Sequence, residues 1–239
     1  MGKNVFIVGA SGDIGRAIAK KLANENYQLL LHYHRNQEAI HNLTKELNPE
    51  QVLAVVQGDL TNQKDIERML EEIVFPVDII VFASGIAHYG LFQDLSIDTI
   101  EKMLMIHVQA PLFITKHFLP EMIQRQSGNI IFITSVWGHV GASFEVLYST
   151  VKGAQNSFIK SLAKEVAPSG IIVNGVSPGF IDTKMNSHLH EDEKEALISD
   201  IPMQRSGTVE EVAHVVHFLC DEKTTYIQGE IIHVTGGWH

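Results

Sequence analysis

The chain has 239 residues, 45% of them apolar, which suits one large α/β domain or two small ones with a sizeable core. Eighteen basic residues against 28 acidic ones set a formal charge of −10, which argues against nucleic acid or anionic lipid as a partner and for a cationic one. No apolar run reaches the length of a membrane span, and the single cysteine, Cys220, rules out a disulfide framework and fits a reducing cytosol.

The N-terminus, MGKNVFIVGAS, goes straight into a strand with no charged-then-apolar leader, so a cytoplasmic protein is expected. The first strand, KNVFIVG, runs into GASGDIG and a helix, DIGRAIAKKLANEN, with Ile14, Ile18 and Leu22 as its buried stripe. This is the first half of a dinucleotide-binding unit. Glycines let the backbone approach a pyrophosphate, and the helix N-terminus supplies oriented N–H groups. The candidate contacts are Gly9, Ser11, Gly12, Asp13, Ile14 and Gly15. A tight turn by itself would explain one or two of the three glycines.

The second strand, YQLLLHYHRN, ends in His34, Arg35 and Asn36 without the acidic residue that would accept the 2′-hydroxyl of NAD. That ending suits a 2′-phosphate, so NADP(H) is the expected cofactor, the plainer alternative being a solvated loop arginine. A helix (QEAIHNLTKEL) and a third strand (QVLAVVQ) precede Gly58, Asp59 and Leu60, the last two placed with the cofactor residues. Asp59 either accepts from an adenine amino group or caps a helix beginning near Thr61. The fourth strand, VDIIVFASG, brings Ala83, Ser84 and Gly85 to the same edge. A helical region from about Ser96 to Gln124 contains Pro111, where a kink or break is expected.

The fifth strand, NIIFITS, ends on Ser135, and the next helix runs to about Ala167, closed by Pro168, Ser169 and Gly170. A sixth strand, IIVNGVS, leads into Pro178, Gly179, Phe180, Ile181, Asp182 and Thr183. Residues 184–200 are polar, charged and helix-prone, in the manner of a mobile lid. A helix, VEEVAHVVHFLC, and a strand, EIIHVTGG, finish the chain. Strands alternate with helices throughout, which predicts one domain over residues 1–239: a Rossmann-type, doubly wound parallel α/β sheet of about seven strands with helices on both faces. Every candidate residue falls at a strand's carboxyl end or a helix start, where such sheets bind ligands.

The stretch SVWGHVGASFEVLYSTVK carries the chemistry. Tyr148 and Lys152 are four apart near a helix start and share a face. A phenol has an ordinary pKa of about 10, and a neighbouring ammonium favours its ionised form, so Lys152 is expected to lower Tyr148 and make it a usable acid/base. The Ser135 hydroxyl would hold a carbonyl oxygen opposite. A Tyr-x-x-x-Lys is common by chance, and its weight here comes from its surroundings. The thirteen histidines include the pairs His32/His34 and His214/His217, but no zinc-type cluster accompanies them, so surface or half-buried histidines are expected and no metal.

With these residues placed, the whole chain resembles the short-chain dehydrogenase/reductase family, and in particular its 3-oxoacyl-(acyl-carrier-protein) reductases. The resemblance rests on the glycine turn at 9–15, Asp59, Ser135 with Tyr148 thirteen residues later and then Lys152, the Pro178-Gly179 turn with Thr183, and Gly236-Gly237. It implies that Tyr148 is the acid/base, that Lys152 binds the nicotinamide ribose and depresses the tyrosine, and that Ser135 orients the carbonyl. It also implies that Ile181 and Thr183 hold the carboxamide, and that the chain forms homotetramers through the long helices after the fourth and fifth strands. Three departures stand out. Asp13 replaces a glycine, with Gly12 shifted one earlier. Phe82-Ala83-Ser84-Gly85 stands where the family has Asn-Asn-Ala-Gly. His107 takes the fourth catalytic position, an asparagine whose backbone carbonyl anchors a relay water.

The leading expectation is an NADPH-dependent carbonyl reductase, and the alternative of another class is a non-catalytic cofactor sensor. Family members that use acyl-carrier protein dock it on two arginines, which align here with Gln126 and Ser169, leaving only Arg125 to compensate. The stretch around Tyr148 and the GGW ending look most like a branch proposed to reduce a 5-aminopentanone group on elongation factor P. That product ends in an amine, a better match for an acidic protein than an acidic carrier. A protein-borne 5-aminopentanone is therefore slightly preferred over a 3-oxoacyl thioester of fatty-acid synthesis.

Overall fold

The computed structural model describes residues 2–187 and 189–238. In chain order the strands and helices are β1 (Asn4–Val8), α1 (Asp13–Asn24), β2 (Gln28–Tyr33), α2 (Gln37–Glu46), β3 (Val52–Gln57), α3 (Gln63–Glu71) and β4 (Ile79–Phe82). There follow α4 (Ile97–Leu104), a π-helical turn (Met105–Gln109), α5 (Ala110–Arg125), β5 (Gly128–Ile133), α6 (Trp137–Val140) and α7 (Val146–Val166). The chain ends with β6 (Ile171–Pro178), α8 (Glu191–Asp200), α9 (Val209–Cys220) and β7 (Ile231–Val234).

All seven strands join one parallel sheet in the order β3-β2-β1-β4-β5-β6-β7. Alternation within each strand builds two cores. Val5, Ile7, Leu29, Leu31, Ile79 and Val81 meet Ile18 and Leu22 of α1, Leu43 of α2 and Val216 of α9. Phe6, Val8, Leu30, Ile80 and Phe82 meet Met69 of α3, Phe118 of α5 and Ile159 of α7 on the other face. Burial on both faces explains why the strands read as unbroken apolar runs. Truncating Leu22 or Ile80, both fully buried, to alanine would cost about 2–5 kcal/mol.

The sheet's direction of growth reverses between β1 and β4, so the loops after those strands diverge and leave a crevice at their carboxyl ends. The break expected near Pro111 takes the form of the π turn just before it, and Pro111 itself sits in the first turn of α5. The lid expectation at 184–200 corresponds to a short 3-10 turn and α8, a helix with no fully buried residue.

Candidate active site

The carboxyl end of β5 and the start of α7 converge. Ser135 is buried, its Oγ accepts the Trp137 N–H at 3.3 Å, and its hydroxyl hydrogen-bonds Tyr148. One turn further along α7, Lys152 is buried and donates through Nζ to Ile133 O at 2.8 Å and to Gln155 Oε1 at 3.2 Å. Its Nζ lies 5.7 Å from the centre of the Tyr148 ring. The expected lowering of Tyr148 is not what the protein shows. Burial lifts the phenol above its ordinary value, Glu145 adds to the rise, and the Ser135 bond offsets it only in part. Lys152 cannot correct this alone, because burial pulls it down to about 7 and both of its described bonds point to carbonyl oxygens.

The glycine turn lies across the crevice. Gly9 has φ +92°, and a Cβ there would stand 2.6 Å from the Ser84 backbone; a Cβ on Gly15 would meet Gly9 O at 2.2 Å. Packing therefore demands both. Gly12 is different: the nearest atom to its Cβ would be 3.5 Å away, and it begins α1 without a side-chain cap. The uncapped first-turn amides and this open position fit a pyrophosphate.

Between turn and tyrosine lies a cavity of about 760 Å³. Of the expected cofactor residues, Ile14, Ala83, Ser84, Gly85, Pro178, Gly179, Ile181 and Thr183 line it, together with Ser135, Tyr148 and Lys152. Aromatic rings of Tyr89, Trp137, Phe180 and Trp238 also line it, with Trp137 and Trp238 edge to face at 4.9 Å. Glu145, Glu193 and Asp200 also face it, and Lys152 is the only basic lining residue among those described.

A profile of the family described as "Enoyl-(Acyl carrier protein) reductase" matches residues 9–239. The chain is 45% identical over 243 residues to the uncharacterized oxidoreductase YmfI of Bacillus subtilis, covering 100% of both chains. It is 39% identical to the 3-oxoacyl-[acyl-carrier-protein] reductase FabG of Aquifex aeolicus, covering 99% of this chain and 97% of that one. It superposes on the crystal structure of YwfH, an NADPH-dependent reductase involved in bacilysin biosynthesis, with a TM-score of 0.92, at 26% identity over 100% of this chain and 99% of that one. The chain belongs to the short-chain dehydrogenase/reductase family.

As a short-chain dehydrogenase/reductase it is an oxidoreductase of a family that binds a nicotinamide cofactor. Further expected cofactor residues lie at the ends of β2 and β3. Asp59 does not cap α3; Asn62 does, accepting from Lys64 N and Asp65 N. Asp59 Oδ1 accepts from the Thr61 amide and hydroxyl at 2.9 and 2.7 Å, and its Oδ2 lies 3.4 Å from His34 Nε2. Burial works to raise Asp59, but the Thr61 bonds, with His34 and Arg35 nearby, hold it below its ordinary value. Arg35 is exposed, Asn36 caps α2 by accepting from Ala39 N, and Leu60 is a core side chain beneath α3.

His107, at the family's asparagine position, does not line the cavity. It is buried, edge to face with the Tyr148 ring at 5.8 Å, and its Nε2 is 2.8 Å from Ile86 O. Burial, with Lys152 nearby, pulls it down to about 3, so the ring is neutral at pH 7. His32 corrects the expectation of surface or half-buried histidines. It is 2% exposed, accepts the Gly9 N–H on Nδ1 at 3.1 Å and donates from Nε2 to Gly58 O at 3.1 Å, tying the glycine turn to the end of β3. Its place on an apolar strand marks it as inward-facing. The aromatic and acidic lining of the cavity has no signal in the sequence, because no spacing reveals which loop faces a cavity.

Proposed function

We propose that this short-chain dehydrogenase/reductase is an NADPH-dependent carbonyl reductase in which Ser135, Tyr148 and Lys152 do the chemistry, and that its ketone carries a positive charge. The observation that carries the reading is the meeting of a serine hydroxyl, a phenol and a buried lysine on one wall of a cavity bordered by the glycine turn. NADPH, when bound, supplies the hydride that reduces a ketone carbon. Ser135 holds the carbonyl oxygen, and Tyr148 gives that oxygen the proton that completes the alcohol. Burial keeps Tyr148 protonated until the oxygen develops negative charge, and Lys152 beneath it steadies the phenolate left behind. Arg35, with His34 beside it, is the residue placed to meet the 2′-phosphate, and Asp59 the one placed to meet the adenine edge.

Three carboxylates and four aromatic rings besides Tyr148 line the cavity, which suits a cationic ketone rather than an anionic one. Arg125, the one residue that could replace the missing docking arginines, is already engaged. Its guanidinium donates to Val77 O and to Ser127 O and faces Glu121 and Asp78. The reading that follows is a 5-aminopentanone group carried on elongation factor P, in a homotetrameric cytoplasmic enzyme. NADPH oxidation is to be followed with that modified protein, with acetoacetyl-carrier protein and with free ketones side by side. A higher kcat/KM for the aminopentanone protein is expected. A clear preference for the acyl-carrier substrate, growing as salt is lowered, overturns the cationic reading, and binding of NADPH without any turnover favours a sensor.

A further inference from the structure

Pro111, His107 and Gln155 form one buried arrangement behind the reacting groups. In a regular helix the amide of residue 111 would donate to the carbonyl of residue 107, and proline has no N–H to give. Gln155 supplies the missing donor: its Nε2 donates to His107 O at 2.7 Å, while its Oε1 accepts from Lys152 Nζ at 3.2 Å. Gln155 is 4% exposed, Lys152 3% and His107 0%. The resemblance to the family implies a relay water on this carbonyl; here a side-chain amide is bonded to it.

We propose that Gln155 is a positioning residue for the Tyr148–Lys152 pair, its amide bridging the lysine to the His107 carbonyl. The proposal rests on the reading of Tyr148 as the acid/base. Lys152 keeps its orientation because two carbonyl oxygens, of Ile133 and Gln155, fix its ammonium. The titratable groups facing it among the described residues are Tyr148 on its own helix and His107 from the π turn, with Glu145 beyond the tyrosine.

The test compares Gln155→Met and Gln155→Glu, two side chains of nearly the same shape, with the unaltered enzyme. Lys152 is titrated directly by NMR with ¹³C-labelled lysine, and NADPH oxidation is followed against pH with ethyl acetoacetate. Methionine removes the acceptor, so the Lys152 titration and the alkaline limb of turnover should move down by about one pH unit, with turnover falling roughly tenfold. Glutamate places a carboxylate on the lysine, so both should move up. A role in packing alone would lower stability without moving the two titrations in opposite directions. Unchanged Lys152 titration in Gln155→Met overturns the proposal, and that variant decides alone if Gln155→Glu does not fold. Tyr148→Phe is the control: if it still turns over, the acid/base reading fails, whatever Gln155 does.

Discussion

Asp13 reaches from the glycine turn to the opposite side of the crevice, its Oδ2 accepting the Lys184 N–H at 2.8 Å across 171 residues of sequence. Its other oxygen takes Arg16 Nη2 at 2.7 Å. A carboxylate thus stands in the turn that is to receive a pyrophosphate. Asp13→Asn keeps an acceptor for Lys184 and removes the like charge, worth about 1 kcal/mol at contact in water. NADPH should bind several-fold more tightly, by fluorescence titration, and unchanged or weaker binding would show that Arg16 already neutralises the carboxylate.

Tyr148→Phe keeps the ring against His107 and removes only the hydroxyl. Turnover should drop by at least ~10²-fold, a typical general-acid contribution, while NADPH affinity stays nearly intact. Turnover close to that of the unaltered enzyme would remove Tyr148 from the chemistry.

Arg35 stands exposed at the end of β2, beside His34 and its Asp59 partner. Arg35→Ala should weaken NADPH roughly tenfold, the loss of about one charge-assisted contact, and leave NADH almost unaffected. Equal affinity of the unaltered enzyme for the two cofactors would reject the preference for NADP(H).

Acid should unfold the protein through its buried histidines. His32 and His107 are pulled down to about 4 and about 3 by burial, against an ordinary value of about 6.5. Between those limits the unfolded chain binds protons that the folded chain refuses, so stability is full above pH about 6.5 and is lost as pH falls toward 4. Each such histidine contributes a slope of roughly 1.4 kcal/mol per pH unit inside its window. His32→Gln should flatten the fall of Tm between pH 6.5 and 4. An unchanged slope would mean that the acid limb has another origin.

Much of this architecture was legible in the sequence because the apolar spacing is strong. The helix expected at VEEVAHVVHFLC is α9 residue for residue, and the single seven-stranded parallel sheet is as expected. The long helix was legible only as a helix with a fault. Pro111 marks the break, yet nothing in its identity tells a kink from the π turn that precedes it. Ser135, Tyr148 and Lys152 were found through spacing along a strand end and a helix face. Gln155 lies three residues beyond Lys152, close enough in sequence to suspect, but its bond to His107 O joins positions 48 apart and needed the fold. The expected drop in Tyr148 failed for a reason outside any motif: desolvation acts on the lysine as well as on the phenol.

The ring of His107 also occupies the space beside Gly85, where an added Cβ would come within 2.8 Å of Cε1. Position 85 is consequently held to glycine as long as a histidine ring stands at 107. Restoring the family's asparagine at 107 alone would leave a hollow next to Gly85 and take away the imidazole that meets the Ile86 backbone, whereas Gly85→Ala alone would drive the ring toward Tyr148. The constraint runs one way: the family keeps glycine at 85 beside its asparagine at 107, so Gly85 accepts either neighbour, while His107 accepts nothing larger than glycine there, and Gly85→Ala should lower Tm in this chain and lower it less once His107 is replaced by asparagine.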